Sequence, residues 1–187
     1  MEAAIAKKMT YSAFRNMEIP DGDTSIYELI NGQIVRRASP NSPHQILSEK
    51  LTRRLGNFVE EKNSGQILHA PLDVILDEKN VPQPDIFFVS KKRRHIVDPD
   101  NGVMGAPDLI IEIISPGTAR YDRGDKEDLY ERFGVKEYWI ADPKYQSIEV
   151  YALKNDRYKL VGFATKEEKI TSSVLKDLEL DLSELFE

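Results

Sequence analysis

Pro107–Pro143, PDLIIEIISPGTARYDRGDKEDLYERFGVKEYWIADP, is the stretch on which the fold turns. Glu112 stands inside an apolar run, flanked by Ile110, Ile111, Ile113 and Ile114, that reads as a strand buried on both faces. A polar Ser-Pro-Gly-Thr linker leads into a helix expected from about Asp122 to Phe133, with Gly134 as its C-terminal cap. Glu137 to Ala141 then reads as a second hydrophobic strand. Two buried strands joined by a helix form a crossover unit of a mixed sheet. An ionised acid in such a strand is costly unless it is paired, protonated or bound to a metal, so Glu112 demands an explanation.

Working outward, Thr10 reads as the N-cap of a short helix, and Ser25 to Arg37 as a hairpin about Asn31-Gly32. From His44 to about Lys62, Ile46, Leu47, Leu51, Leu55, Phe58 and Val59 fall at helical spacing. Strands are expected at Gln66 to Leu76, Pro84 to Ser90, Asp108 to Ser115, Ser147 to Leu153 and Arg157 to Phe163, and a short strand and small helix in the tail. These elements describe one α/β domain over residues 1–187: a helical lead-in (1–24), a core (25–165) and a C-terminal extension (166–187).

The chain has 187 residues, 40% of them hydrophobic, enough for one ordinary core. It has no cysteine, which excludes disulfides, zinc–thiolate sites and cysteine nucleophiles. It has neither a Gly-rich phosphate loop nor a G-x-S-x-G elbow, and three scattered histidines cannot make an H-E-x-x-H site. No apolar run resembles a signal peptide or a membrane span, and a cytoplasmic location is expected. The net charge of −6 stands against nonspecific nucleic-acid binding, although Lys91, Lys92, Arg93, Arg94 and His95 form a local basic run.

Magnesium and manganese take oxygen ligands and need only one or two carboxylates, so Asp85 in Pro84-Asp85 and Glu112 suffice as a candidate pair. Asp108 lies roughly 13 Å along the strand from Glu112 and reads as a strand-starting residue. Asp122, Lys126 and Tyr130 recur at four-residue steps and share one helix face. A lysine there could orient or deprotonate an attacking water and stabilise phosphate charge. Glu28, between apolar neighbours in YELI, and His44, at the start of the long helix, complete the candidates.

Taken together, YELINGQIV, SPNSPHQ, APLDVIL, QPDIFFVS, the Pro107–Pro143 block and IEVYAL closely resemble the Uma family of restriction endonucleases, within the PD-(D/E)XK nuclease superfamily. The resemblance runs from about residue 25 to 160. It implies a restriction-endonuclease-like core, a mixed β-sheet flanked by α-helices, with Asp85 and Glu112 as the motif acids. It further implies the backbone carbonyl of Ile113 as an additional metal ligand, Glu28 as an acid joining from the N-terminal element, and often a homodimer. The superfamily places lysine two residues after the acid, where this chain has Ile114. Lys126 resembles the displaced lysine of related nucleases.

The function expected is Mg2+- or Mn2+-dependent hydrolysis of phosphodiester bonds in DNA, with Asp85, Glu112, Lys126, Glu28 and His44 at the catalytic site. The alternative is a nuclease-fold module that binds nucleic acid or protein with weak or absent catalysis.

Overall fold

A computed structural model of the chain describes residues 8–115 and 119–187, so most of the linker before the crossover helix lies outside the described residues. Helix α1 (Tyr11–Arg15) is capped by Thr10, whose side chain accepts a hydrogen bond from the Ala13 amide. Strands β1 (Ile26–Ile30) and β2 (Gln33–Arg37) form an antiparallel hairpin. Asn31 and Gly32, at φ 53° and 75°, supply the two left-handed residues of its turn.

Helix α2 (Ser42–Glu61) starts two residues earlier than its apolar pattern indicated, because the Asn41 side chain caps the His44 amide. Strand β3 (Gly65–His69) is also shorter than expected. Pro71 has no N–H with which to extend the ladder, and the chain leaves the main sheet to form β4 (Val74–Ile75). Strand β5 (Ile86–Ser90) follows, then a 3-10 helix over Lys91–Ile96, then β6 (Val97–Asp98) and β7 (Gly102–Met104). Strands β4, β7 and β6 make a small sheet of their own.

The decisive block gives β8 (Leu109–Ile113), α3 (Ala119–Asp122), α4 (Asp125–Arg132) and β9 (Glu137–Asp142). The expected single helix from Asp122 is therefore two, broken at Arg123-Gly124, with Gly124 (φ −138°, ψ −94°) outside helical geometry. Gly134, at φ 76°, ends α4 as read from the sequence. Strands β10 (Ser147–Lys154) and β11 (Arg157–Thr165) complete the sheet, and β12 (Lys169–Thr171) and β13 (Glu179–Asp181) pair in the tail.

The main sheet has the order β11-β10-β9-β8-β5-β3. Within this sheet only β8 and β9 pair in parallel, which is the crossover expected of the Pro107–Pro143 block, so the sheet is mixed and flanked by helices. One face carries Leu109, Ile111 and Ile113 of β8 against Leu47, Leu51, Leu55 and Val59 of α2, together with Leu175, Leu178, Leu182 and Phe186 of the tail. The other carries Ile110 and Ile114 against Leu129 and Tyr130 of α4 and Ile30 of the hairpin. Strand alternation puts Glu112 on this second face.

Candidate active site

Asp85 immediately precedes β5, and β5 pairs with β8 as Ile86↔Ile111. One step further along that register, Asp85 lies opposite Glu112, so adjacent central strands bring the two acids together. The Asp85 carboxylate is fixed twice: Oδ2 accepts the Ile113 amide at 2.7 Å and meets His44 Nε2 at 3.1 Å. Its burial alone would raise the carboxyl. The His44 hydrogen bond and the charges of His44, Arg37 and Lys126 outweigh this and hold it below its ordinary value.

Glu112 is fully buried. Its Oε1 accepts from Lys126 Nζ at 2.7 Å and from the Tyr130 hydroxyl at 2.6 Å. Its Oε2 is buried with no hydrogen-bond partner among the described residues. Burial pushes the carboxyl up to about 8, with Lys126 opposing and Asp85 and Asp122 adding to the rise. Lys126 has zero exposure and also reaches Glu28 Oε1 at 3.0 Å. Burial would lower its ammonium, but the two carboxylates prevail and keep it charged.

Glu28 comes from the hairpin. It accepts the Gln83 amide at 2.7 Å and meets Arg37 Nε at 2.8 Å. The sequence-predicted residues Glu28, His44, Asp85, Glu112 and Lys126 thus form one connected buried cluster. Tyr130, on the helix face expected to carry Lys126, touches Glu112 directly.

Arg37 escaped the sequence reading. It is 7% exposed, donates to the Gln83 carbonyl at 3.0 Å and stands 4.0 Å from Asp85 Oδ1. A signal existed: hairpin pairing of Glu28 with Val35 puts Arg37, two residues on, on the face of Glu28.

Two other residues stand outside the cluster. Asp108 begins β8 at its far end, buried, accepting the Ser90 amide and paired with Lys136 and Arg93, so it belongs to a separate structural cluster. Ile114 lies beside Glu112 on the α4 face, packed with apolar neighbours. Because α4 covers that face, its lysine arrives from above the strand rather than along it.

Metal fit follows from these contacts. Among the described residues, no group of three or more His, Asp or Glu side chains is arranged as a metal cage. The buried Glu112 Oε2 and the Asp85 carboxylate on the neighbouring strand are hard oxygen donors, and a bound cation would favour the ionised form of Glu112 that burial opposes. This donor set fits a hard divalent cation that takes one or two carboxylates and completes its shell with water and phosphate.

Comparisons with known proteins place the chain among nuclease-like proteins. The family Uma2, described as "Putative restriction endonuclease", matches residues 11–183. The uncharacterized proteins slr1290 and sll1609 of Synechocystis are 26% identical over 132 residues (70% of this chain, 67% of the relative) and 24% identical over 164 residues (86% and 90%). A crystal structure from Anabaena variabilis, described as "a putative nuclease belonging to DUF820", superposes with a TM-score of 0.77 at 20% identity, covering 95% of this chain and 97% of that one. At that identity the likeness shows a shared fold. No helix among the described residues is long and apolar enough to cross a membrane.

Proposed function

The chain belongs to the Uma2 family of nuclease-like proteins, and from that premise we propose that it is a Mg2+- or Mn2+-dependent endonuclease hydrolysing phosphodiester bonds in DNA. The observation that carries the reading is Lys126 Nζ, fully buried between Glu112 and Glu28, on the face where the superfamily lysine would project.

Asp85, Glu112 and the Ile113 carbonyl would hold the ion. When bound, the ion supplies Lewis-acid polarisation of the phosphate and a more acidic water. The protein's own groups do the remaining work. His44 Nε2 donates to Asp85 and sets the orientation of its carboxylate. Tyr130 and Lys126 hold Glu112 through Oε1 and leave Oε2 as the open donor. Lys126 brings a fixed positive charge to offset the charge that develops on the phosphate. Glu28 and Arg37 keep that ammonium paired and in place.

Purified protein should cleave DNA in Mn2+, and Asp85→Ala or Glu112→Ala should abolish cleavage while circular dichroism shows the fold retained. Undiminished cleavage by both variants would falsify the assignment. The zero exposure of both Glu112 and Lys126 favours a second reading, a binding module whose ion-pair cluster is purely structural. Calorimetric titration with Mn2+ separates the two, since the module requires no metal affinity.

A further inference from the structure

Asp85 and His44, the edge of the acid cluster, line a cavity of about 590 Å³ between the hairpin, the first half of α2 and the end of β3, while Glu28, Glu112 and Lys126 lie buried behind them. A second cavity of about 470 Å³ continues along α2 and β3 to Lys91 and Arg94. Thr52 and Arg53 line both, so the two are segments of one groove. Along α2 from His44 to Asn57 it runs 13 steps, about 20 Å at the helical rise.

Three features of this groove suit a strand of phosphates. First, the basic run after β5 folds as a 3-10 helix, with three residues per turn, so Lys91 and Arg94 share a face. Both line the groove and neither is ion-paired among the described residues, whereas Arg93 turns away to Asp108 and the Ala106 carbonyl. Second, Gly56 lies in the interior of α2, where glycine is unfavourable by about 0.5–1 kcal/mol. No atom of the fold lies within 4 Å of a Cβ built there, so internal packing does not require it. A glycine that lines a groove without an internal steric reason leaves room for a ligand to approach the helix backbone. Third, the charged lining is sparse. Arg53 is paired with Glu49, and Glu49, Asp85 and Glu60 line the groove beside Arg53, Lys91 and Arg94, so acids and cations are equal in number there. With a net charge of −6, three cations offer a footprint for one backbone rather than two.

We propose that a single strand of nucleic acid lies along the α2–β3 groove, passing His44 at the acid site, crossing Gly56 and leaving over Lys91 and Arg94. The inference rests on the nuclease reading for the nature of the ligand, but its test does not depend on cleavage.

Anisotropy of a fluorescein-labelled oligothymidylate of about 15 nucleotides is followed with the full chain in EDTA, and repeated with a duplex of the same length. Three phosphate contacts predict a log–log salt slope of about −2 for the single strand. Lys91→Glu with Arg94→Glu should weaken binding at least about tenfold and flatten that slope. Gly56→Leu, whose Cβ meets no atom within 4 Å, should also weaken binding while the melting temperature holds. The same charge change at the exposed Lys154 and Lys159 of β10 and β11 should leave binding within about twofold. Binding unaffected by the Lys91/Arg94 pair, equal loss from the Lys154/Lys159 pair, tighter binding of the duplex, or no binding at all would each overturn the proposal. If the strand binds as described but Mn2+ produces no cleavage, the groove assignment stands and the nuclease reading fails.

Discussion

Asp85 Oδ2 accepts the amide proton of Ile113 at 2.7 Å, which ties the acid ahead of β5 to the strand that carries Glu112. The spacing of the two acids is thus set by a side-chain hydrogen bond to the β8 backbone as well as by the β5–β8 register.

Replacing Asp85 therefore has two separable effects. Asp85→Ala removes the acceptor for the buried Ile113 amide and for His44, and should lower unfolding free energy by about 1–3 kcal/mol in urea titrations. Asp85→Asn retains one carbonyl acceptor and should lose less stability, yet lose Mn2+-dependent cleavage equally. Cleavage that tracked stability across the two variants would assign Asp85 a structural role only.

Lys126→Met should be among the most destabilising single changes in the chain. It leaves Glu112 and Glu28 without the ammonium between them, a loss of about 3–5 kcal/mol for a broken buried pair. Adding Glu112→Gln should recover part of that loss, and a double-mutant cycle by chemical denaturation measures the recovery. Additive effects would show that the two residues do not interact as the structure places them.

Stability should also depend on pH through Glu112. Its carboxyl is raised by burial from the ordinary 4.5 to about 8, so between those values the native state holds a proton that the unfolded chain has released. Its contribution is thus fully present below about pH 4.5 and is lost as pH rises toward 8. Metal-free wild-type protein should lose stability relative to Glu112→Gln across this window in chelator. Parallel stability curves for the two proteins would contradict the raised value.

Asp108 provides the internal control. It is buried and bonded to Ser90, Arg93 and Lys136, at the opposite end of β8 from Glu112. Asp108→Asn should cost about 1–3 kcal/mol and leave kcat unchanged. A selective fall in kcat with the fold intact would place Asp108 in the catalytic machinery.

Much of this was legible in the sequence, for identifiable reasons. Glu112 stood out because apolar flanks leave a strand acid no solvent face, and the crossover followed from two buried strands joined by a helix. Lys126 was legible as a candidate, but its place between Glu112 and Glu28 was not, because that contact joins residues nearly one hundred positions apart in the chain. The helix break at Gly124 was hidden by four-residue spacing that ran through it. Arg37 was missed because its partners lie on the hairpin and ahead of β5, and only the hairpin register places it on the face of Glu28. His44 became a buried partner of Asp85 because the cap at Asn41 moved the helix start upstream.

The tail has a consequence for how the protein is made. Glu137, at the start of β9 and fully buried, accepts hydrogen bonds from Ser172, from the amides of Ser173 and Val174, and from the Trp139 indole. Leu175, Leu178, Leu182 and Phe186 then join the apolar face over which α2 lies. The five residues of the acid cluster are all synthesised by Lys126, well before that face is covered. Until residues 172–174 have been added, Glu137 lacks all of these donors but the Trp139 indole. The tail therefore closes the apolar face of the sheet last in chain order, and β9 is clasped only after the residues of the acid cluster have been made.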